Sequence, residues 1–458
     1  MTPKETIIAT LKHEWTGQVP WVPFAGCHAG KLIGRDAEDM MRDGDVLFEA
    51  LSKVNELYRP FGQPVMFDLQ IEAECLGCEL RWHKDAPPSV ASHPLEGQDE
   101  IEVPCECTIP SKEDGRIPMV LDVMRRMKAK FGDTTALYGL VCGPFTLATH
   151  LRGNDIFMDM YDDPDAVKKF LDYCMKVTRT VAGYYIEAGM DVIAVVDPLI
   201  SQISSEHFEE FMAKPFSEIF KFVRESGAYS SFFVCGDATR NIEEMCKTDP
   251  DSISIDENVD LVAAKAITDR YNVTIGGNIP LTTVMLHGTQ QDNMKCVVDI
   301  LDSVSDHKNL IIAPGCDMPY DVPIENTIGA AQAVIDTDGV RKMLENYVAE
   351  EENIEVELPD YANLKKPLIE VFTLDSVQCA ACTYMKAAAM DAWERFGDRI
   401  DVVEYMFTKK ENIARCKKMG VPNLPSMYIN GELKFRSIVP SKEELDAAIT
   451  SAIEAIGK

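Results

Sequence analysis

Apolar positions in the first 350 residues fall into two alternating kinds of run. Short β-like runs bounded by Gly, Pro, Asn or Asp predict strands at residues 19–24, 64–68, 136–141, 191–196, 230–235, 252–256, 273–277 and 309–313. Between them, stretches such as residues 165–187 and 205–225 carry apolar side chains at helical spacing. Eight strands separated by helices predict an α/β fold, a (β/α)8 TIM-type barrel with insertions. A doubly wound open sheet is the alternative, but no G-x-G-x-x-G follows the first strand. The barrel reading places any chemistry where strands end and loops begin.

The pattern breaks at residues 350–361, EEENIEVELPDY, which are acidic, carry one proline and lack apolar periodicity. This predicts a linker or wrapping segment over residues 350–366. A second, shorter alternation follows: strand 368–373, a C-x-x-C, helix 383–396, strand 400–405, helix 409–419, strand 426–429, Asn430-Gly431, strand 433–437 and helix 441–456. Asn-Gly between two short apolar runs is a two-residue hairpin signal. The expected organisation is a barrel over residues 1–349, the acidic linker 350–366, and a small α/β domain over residues 367–458.

Charge supports that division. The chain of 458 residues carries a formal net charge of −30. Residues 361–458 hold 14 basic and 13 acidic side chains, so the first 360 carry −31. Such a surface repels phosphate backbones and anionic headgroups, so neither nucleic acid nor membrane is an expected partner. No run approaches 18 apolar residues, and the first 15 lack a signal-peptide core, so a cytoplasmic location is expected. The 14 cysteines are then expected to be reduced, most of them as small buried side chains.

The residues just after the predicted barrel strands bring cysteines, a histidine and carboxylates to one mouth. They include Cys27 and His28; Asp68, Gln70, Glu72 and Glu74; Asp197; Cys235 and Asp237; Asp256 and Glu257; and Cys316 with Asp317. Thiolate, imidazole and carboxylate are zinc ligands, and a catalytic zinc site keeps one position open. The competing reading makes Cys235 and Cys316 small packing residues beside glycines. Cys105 and Cys107 are expected on one face of a strand, without a functional role. Cys75 and Cys78, although spaced C-x-x-C, are expected to pack.

Several segments resemble the uroporphyrinogen decarboxylase superfamily: Phe67-Asp68-Leu69, Glu74-Cys75-Leu76-Gly77, the run from Gly143 to Ala148, Val196-Asp197-Pro198, the run from Gly276 to Pro280, and the run from Ala313 to Asp317. The resemblance implies a TIM-type barrel, with Asp68, Gln70, Asp197 and Asn278 as substrate-binding positions. The arginine-rich segment by which the decarboxylases hold a poly-acid substrate has no counterpart in residues 24–31. The corrinoid-dependent methyltransferase branch is more similar. Its His-x-Cys-Gly motif corresponds to Phe233-Val234-Cys235-Gly236, and its Pro-Gly-Cys loop to Pro314-Gly315-Cys316. That resemblance implies zinc on Cys235 and Cys316, with Phe233 replacing the family histidine and His28, Glu74 or Asp197 as candidates for the missing ligand. It also implies a corrinoid. No D-x-H-x-x-G signature is present, so the corrinoid is expected on a separate partner protein.

In the C-terminal part, Cys379-Ala380-Ala381-Cys382 precedes an amphipathic helix, where the helix dipole and free N–H groups favour a thiolate on Cys379. Cys382, one turn in, is placed to resolve a mixed disulfide. The CxxC, the run from Val421 to Ser426 and the Asn430-Gly431 hairpin resemble a thioredoxin or glutaredoxin, which implies Cys379 and Cys382 as redox-catalytic residues and Pro425 as a cis-proline. A structural pair or zinc half-site is the alternative. The combined expectation is a zinc-dependent methyltransferase working with a corrinoid protein and a small thiol or other methyl donor or acceptor, fused to a thiol–disulfide domain. The alternative is a metal-free barrel binding a small ligand or tetrapyrrole, whose only chemistry is the C-terminal dithiol.

Overall fold

The computed structural model describes residues 1–349, 354–377 and 379–456, which form two compact units meeting near residue 350 in the sequence. In the first unit seven parallel strands follow one another in spatial order: Gly62–Pro64, Ala136–Cys142, Val192–Val196, Tyr229–Val234, Ser252–Ile255, Thr274–Ile279 and Leu310–Pro314. Parallel neighbours need crossovers, and helices such as Pro164–Glu187 and Ala213–Glu225 supply them.

The expected first strand at residues 19–24 is reduced to a single bridge from Trp21 to Ile312. It still joins the two edges of the sheet. Val22 N–H donates to Ile312 O at 2.9 Å, and Phe61 N–H donates to Trp21 O at 2.9 Å. Pro20 and Pro23 withhold two of the N–H groups that a regular ladder would use, so the edge is closed by a bridge. The second predicted strand also shifts, ending at Pro64, which leaves Asp68 and Gln70 in the loop beyond it.

Alternation along one strand explains how two adjacent phenylalanines serve two layers. Phe232 stacks on Phe216 of the crossover helix at 4.1 Å between ring centroids, within a group that includes Phe208 and Phe220. Phe233 packs instead on Phe24, at 4.7 Å, and on Phe67. Both are fully buried. Helix 213–225 meets the sheet because Phe216, Ile219, Phe220 and Val223 recur at helical spacing. The expected strand at Cys105 and Cys107 is not formed. The segment turns as a short 3-10 helix, Glu106–Thr108, with the Cys107 N–H donating to Cys105 Sγ.

In the second unit the sheet order is Asp401–Met406, Leu368–Thr373, Ser426–Ile429, Glu432–Arg436. The first pair is parallel and the other two are antiparallel. Asn430 and Gly431 both take positive φ, 54° and 78°, as a two-residue hairpin of this kind requires. Phe372, Tyr428 and Cys416 form a cluster on one face. Of the predicted linker, residues 350–353 lie outside the described residues. Its later part lies against its own unit: Lys418 donates to Val356 O at 2.7 Å, and Tyr361 donates to Glu370 at 3.0 Å.

Candidate active site at the strand ends

Cys235 follows strand Tyr229–Val234 directly, and Cys316 lies two residues beyond Leu310–Pro314. They are 81 residues apart in sequence, yet their Cα atoms are 5.8 Å apart and their sulfurs are joined as a disulfide. This departs from the expectation that all cysteines are reduced. Cys235 is 8% exposed and Cys316 is partly exposed. Gly315 lets the loop of Cys316 lie against the loop of Glu257: a Cβ there would stand 2.7 Å from the Glu257 backbone nitrogen.

Three carboxyl groups lie on the loops that carry or border the two cysteines, each engaged with backbone. Asp256 accepts from the Gly236 N–H, Glu257 accepts from Leu281 N–H, and Asp317 accepts from Gly26 N–H at 2.7 Å. Burial raises the pKa of all three, Asp317 to about 7, with Asp256 adding to the rise at Glu257. A carboxyl group held near neutrality can take or return a proton.

The candidates for a further metal ligand are otherwise engaged. His28, expected to reach the cysteines, has both ring nitrogens occupied: Nε2 lies 2.7 Å from Tyr58 Oη and Nδ1 lies 3.0 Å from Tyr320 O. Burial lowers its pKa to about 4. Glu74 accepts from Arg116 at 2.7 Å. Asp197 accepts from Phe145 N–H, Thr146 N–H and Thr146 Oγ1, capping helix Pro144–Arg152, and burial raises it to about 7. Phe233 offers no donor. Among the described residues no three His, Cys, Asp or Glu side chains come together as a metal site. Two cysteines without a third donor do not fit the zinc centre implied by the resemblance.

The expected substrate positions are distributed around this mouth. Asp68 accepts from Arg116 Nη1 at 2.6 Å and from Gln70 N–H at 2.8 Å. Gln70 Oε1 is buried with no hydrogen-bond partner, which makes it the freest polar atom of the set. Asn278 donates to Asp256 O at 3.0 Å and Val259 O at 2.7 Å, which fixes the loop carrying Asp256 and Glu257. Glu72 accepts from Cys142 N–H at 3.1 Å, and burial raises it to about 7. Sequence reasoning missed Arg116, which bridges Asp68 and Glu74 under the Trp82 ring, 4.9 Å from its centroid. Arg116 lies more than 40 residues from either carboxylate, in a segment without regular periodicity, so no local signal marks it.

In the second unit Cys379 precedes helix Ala380–Phe396 and is half-buried. Its Sγ accepts from Cys382 N–H at 3.4 Å. Cys382 is buried, its Sγ accepts from Leu374 N–H at 3.3 Å, and burial pushes its thiol well above the ordinary range. The Leu424–Pro425 peptide is cis. Lys386 pairs with Glu404 at 2.6 Å, and Thr373 donates to the same carboxylate.

Residues 2–336 match the uroporphyrinogen decarboxylase (URO-D) family. The methylcobamide:CoM methyltransferase MtbA of Methanosarcina acetivorans is 28% identical over 332 residues, covering 71% of this chain and 95% of the relative. The methylcobamide:CoM methyltransferase MtaA of Methanosarcina barkeri is 29% identical over 266 residues, 56% of this chain and 74% of the relative. A uroporphyrinogen decarboxylase of Wolbachia sp. subsp. Brugia malayi is 25% identical over 270 residues, 57% of this chain and 75% of the relative. Among solved structures, a methyltransferase from Methanosarcina mazei superposes with a TM-score of 0.66 at 22% identity, covering 74% of this chain and 99% of that one.

Proposed function

The chain belongs to the uroporphyrinogen decarboxylase (URO-D) family, and from that premise we propose that it is a corrinoid-dependent methyltransferase acting on a small thiol or other small methyl donor or acceptor. The observation that carries this reading is the alignment with a methylcobamide:CoM methyltransferase over 95% of that relative's length. Decarboxylation of a poly-acid is disfavoured. Residues 24–31 lack arginine, and the carboxyl groups of Asp256, Glu257 and Asp317 lie on the loops bordering Cys235 and Cys316.

A corrinoid brought by a separate protein supplies the methyl group as an electrophile. The barrel's own task is to bind the acceptor, exclude water and remove the thiol proton. Gln70 Oε1 is the free acceptor for orientation, and Asp317 and Glu257 are the groups that can take the proton. Zinc does not enter the proposal, because among the described residues no third donor joins Cys235 and Cys316.

The second unit, taken as residues 367–458, is read as a thioredoxin-like thiol–disulfide domain. An accessible Cys379 at a helix start, a buried Cys382 one turn in and the cis Leu424–Pro425 peptide support it. The test of the main reading follows the visible spectrum of methylcobalamin with thiols, and with tetrahydrofolate, under reducing conditions. Demethylation dependent on the reduced protein and on one acceptor class is expected. If no acceptor supports it, the alternative stands: a metal-free ligand-binding barrel whose chemistry is the C-terminal dithiol.

A further inference from the structure

The missing third metal donor leaves two cysteines that are nevertheless brought within bonding distance from opposite parts of the barrel sequence. The two are joined as a disulfide, with Cys235 buried and Cys316 partly exposed. Thiol exchange at such a bond begins at the half within reach of an attacking thiolate, and Cys316 is the more exposed residue of the two. The same chain carries a second dithiol with the same asymmetry, Cys379 half-buried and Cys382 buried. We propose that Cys235–Cys316 is a reversible two-electron redox couple at the barrel mouth, reduced by a Cys379/Cys382 dithiol of this chain or of a second copy. The donor half of the proposal rests on the redox reading of the second unit.

The exchange balances. The Cys379 thiolate attacks Cys316 Sγ, the S–S bond breaks, and Cys235 leaves as a thiolate. Cys382 then attacks Cys379 Sγ, breaking the mixed disulfide and releasing Cys316. Two electrons pass to the barrel, and the two protons lost by Cys379 and Cys382 end on Cys235 and Cys316. The new Cys379–Cys382 disulfide is reduced in turn by an external dithiol. In this scheme the strand ends hold free thiols only when dithiol is available, so the couple sets whether the methyl-transfer site is competent.

The test is peptide mass spectrometry of the full chain, purified without reductant and alkylated before digestion. A Cys235–Cys316 cross-linked peptide that opens with limiting dithiothreitol is expected. Both cysteines alkylated at the outset, with zinc near one per chain, would overturn the proposal in favour of a metal site. For the donor, a Cys382→Ser chain should accumulate a Cys379–Cys316 mixed disulfide. Only external thiols on Cys379 would overturn its assignment. Should that variant fold poorly, Cys379→Ser gives a second readout: under limiting dithiothreitol its barrel disulfide should open at least about tenfold more slowly than in the wild type, and equal rates would overturn the donor assignment. These readouts are masses and rates of thiol release, so they stand or fall separately from methyl transfer.

Discussion

Phe233 packs its ring on Phe24 with 4.7 Å between centroids, in the position two residues before Cys235 where the methyltransferase resemblance implies a metal-binding histidine. The side chain at that position is a fully buried hydrocarbon face. The Phe233→His variant reverses this. Placing an imidazole among Phe24 and Phe67 should cost about 1–3 kcal/mol through an unsatisfied buried polar group. The same change supplies the missing third donor, so the reduced variant should hold more zinc than the wild type. Urea denaturation and metal analysis measure the two effects. A variant no richer in zinc would show that the residue 233 side chain does not reach the cysteines.

Arg116 is a largely buried cation held between two carboxylates. It joins Asp68, whose side chain is wholly buried, to Glu74. Removing it in Arg116→Met leaves a buried carboxylate uncompensated, and the expected destabilisation is about 3–5 kcal/mol. Adding Asp68→Asn should recover part of it. A double variant no more stable than the single one would place the cost in lost packing against Trp82.

Stability should fall with rising pH across the neutral range. Burial holds Glu72, Asp197 and Asp317 near pKa 7, against unfolded values of about 4. The folded chain therefore binds more protons than the unfolded chain between those limits, and the stabilisation is lost as pH rises through about 7. His28, lowered to about 4, acts in the opposite sense, between its folded value and its unfolded value of about 6.5. His150, lowered to about 3, acts like His28, and both effects lie below about pH 6.5, so above that the carboxyl groups decide and the melting temperature should be lower at pH 8.5 than at pH 6.5. Glu72→Gln keeps the shape of the protonated acid and should flatten the slope. An unchanged slope removes Glu72 from the set.

In the reduced second unit the two cysteines should differ in reactivity. Cys382 is buried, with its thiol pushed well above the ordinary range, while Cys379 is half-buried. Iodoacetamide at neutral pH should modify Cys379 at least about tenfold faster than Cys382, followed by mass spectrometry. The exposed Cys105 and Cys107 react as internal standards. Equal rates would mean that the helix start opens readily and that the buried resolving thiol is not protected.

Apolar periodicity alone marked seven of the barrel strands to within a few residues, because strands covered on both faces are rich in apolar and small residues and end at turn residues, whatever their neighbours. It also marked the Asn430-Gly431 hairpin, whose positive φ values are a local demand on those two residues. The spacing placed Cys235 and Cys316 just beyond strand ends. What surrounds them was decided by tertiary structure. Whether His28 meets the cysteines or turns to Tyr58 and Tyr320, whether Asp197 faces a ligand or caps helix 144–152, and whether Arg116 has any partner depend on contacts between segments 30 to 290 residues apart. Periodicity reports which face of an element is buried. It does not report which of several donors on converging loops reaches a given atom, since a rotation of one side chain exchanges a ligand for a hydrogen bond at nearly equal burial.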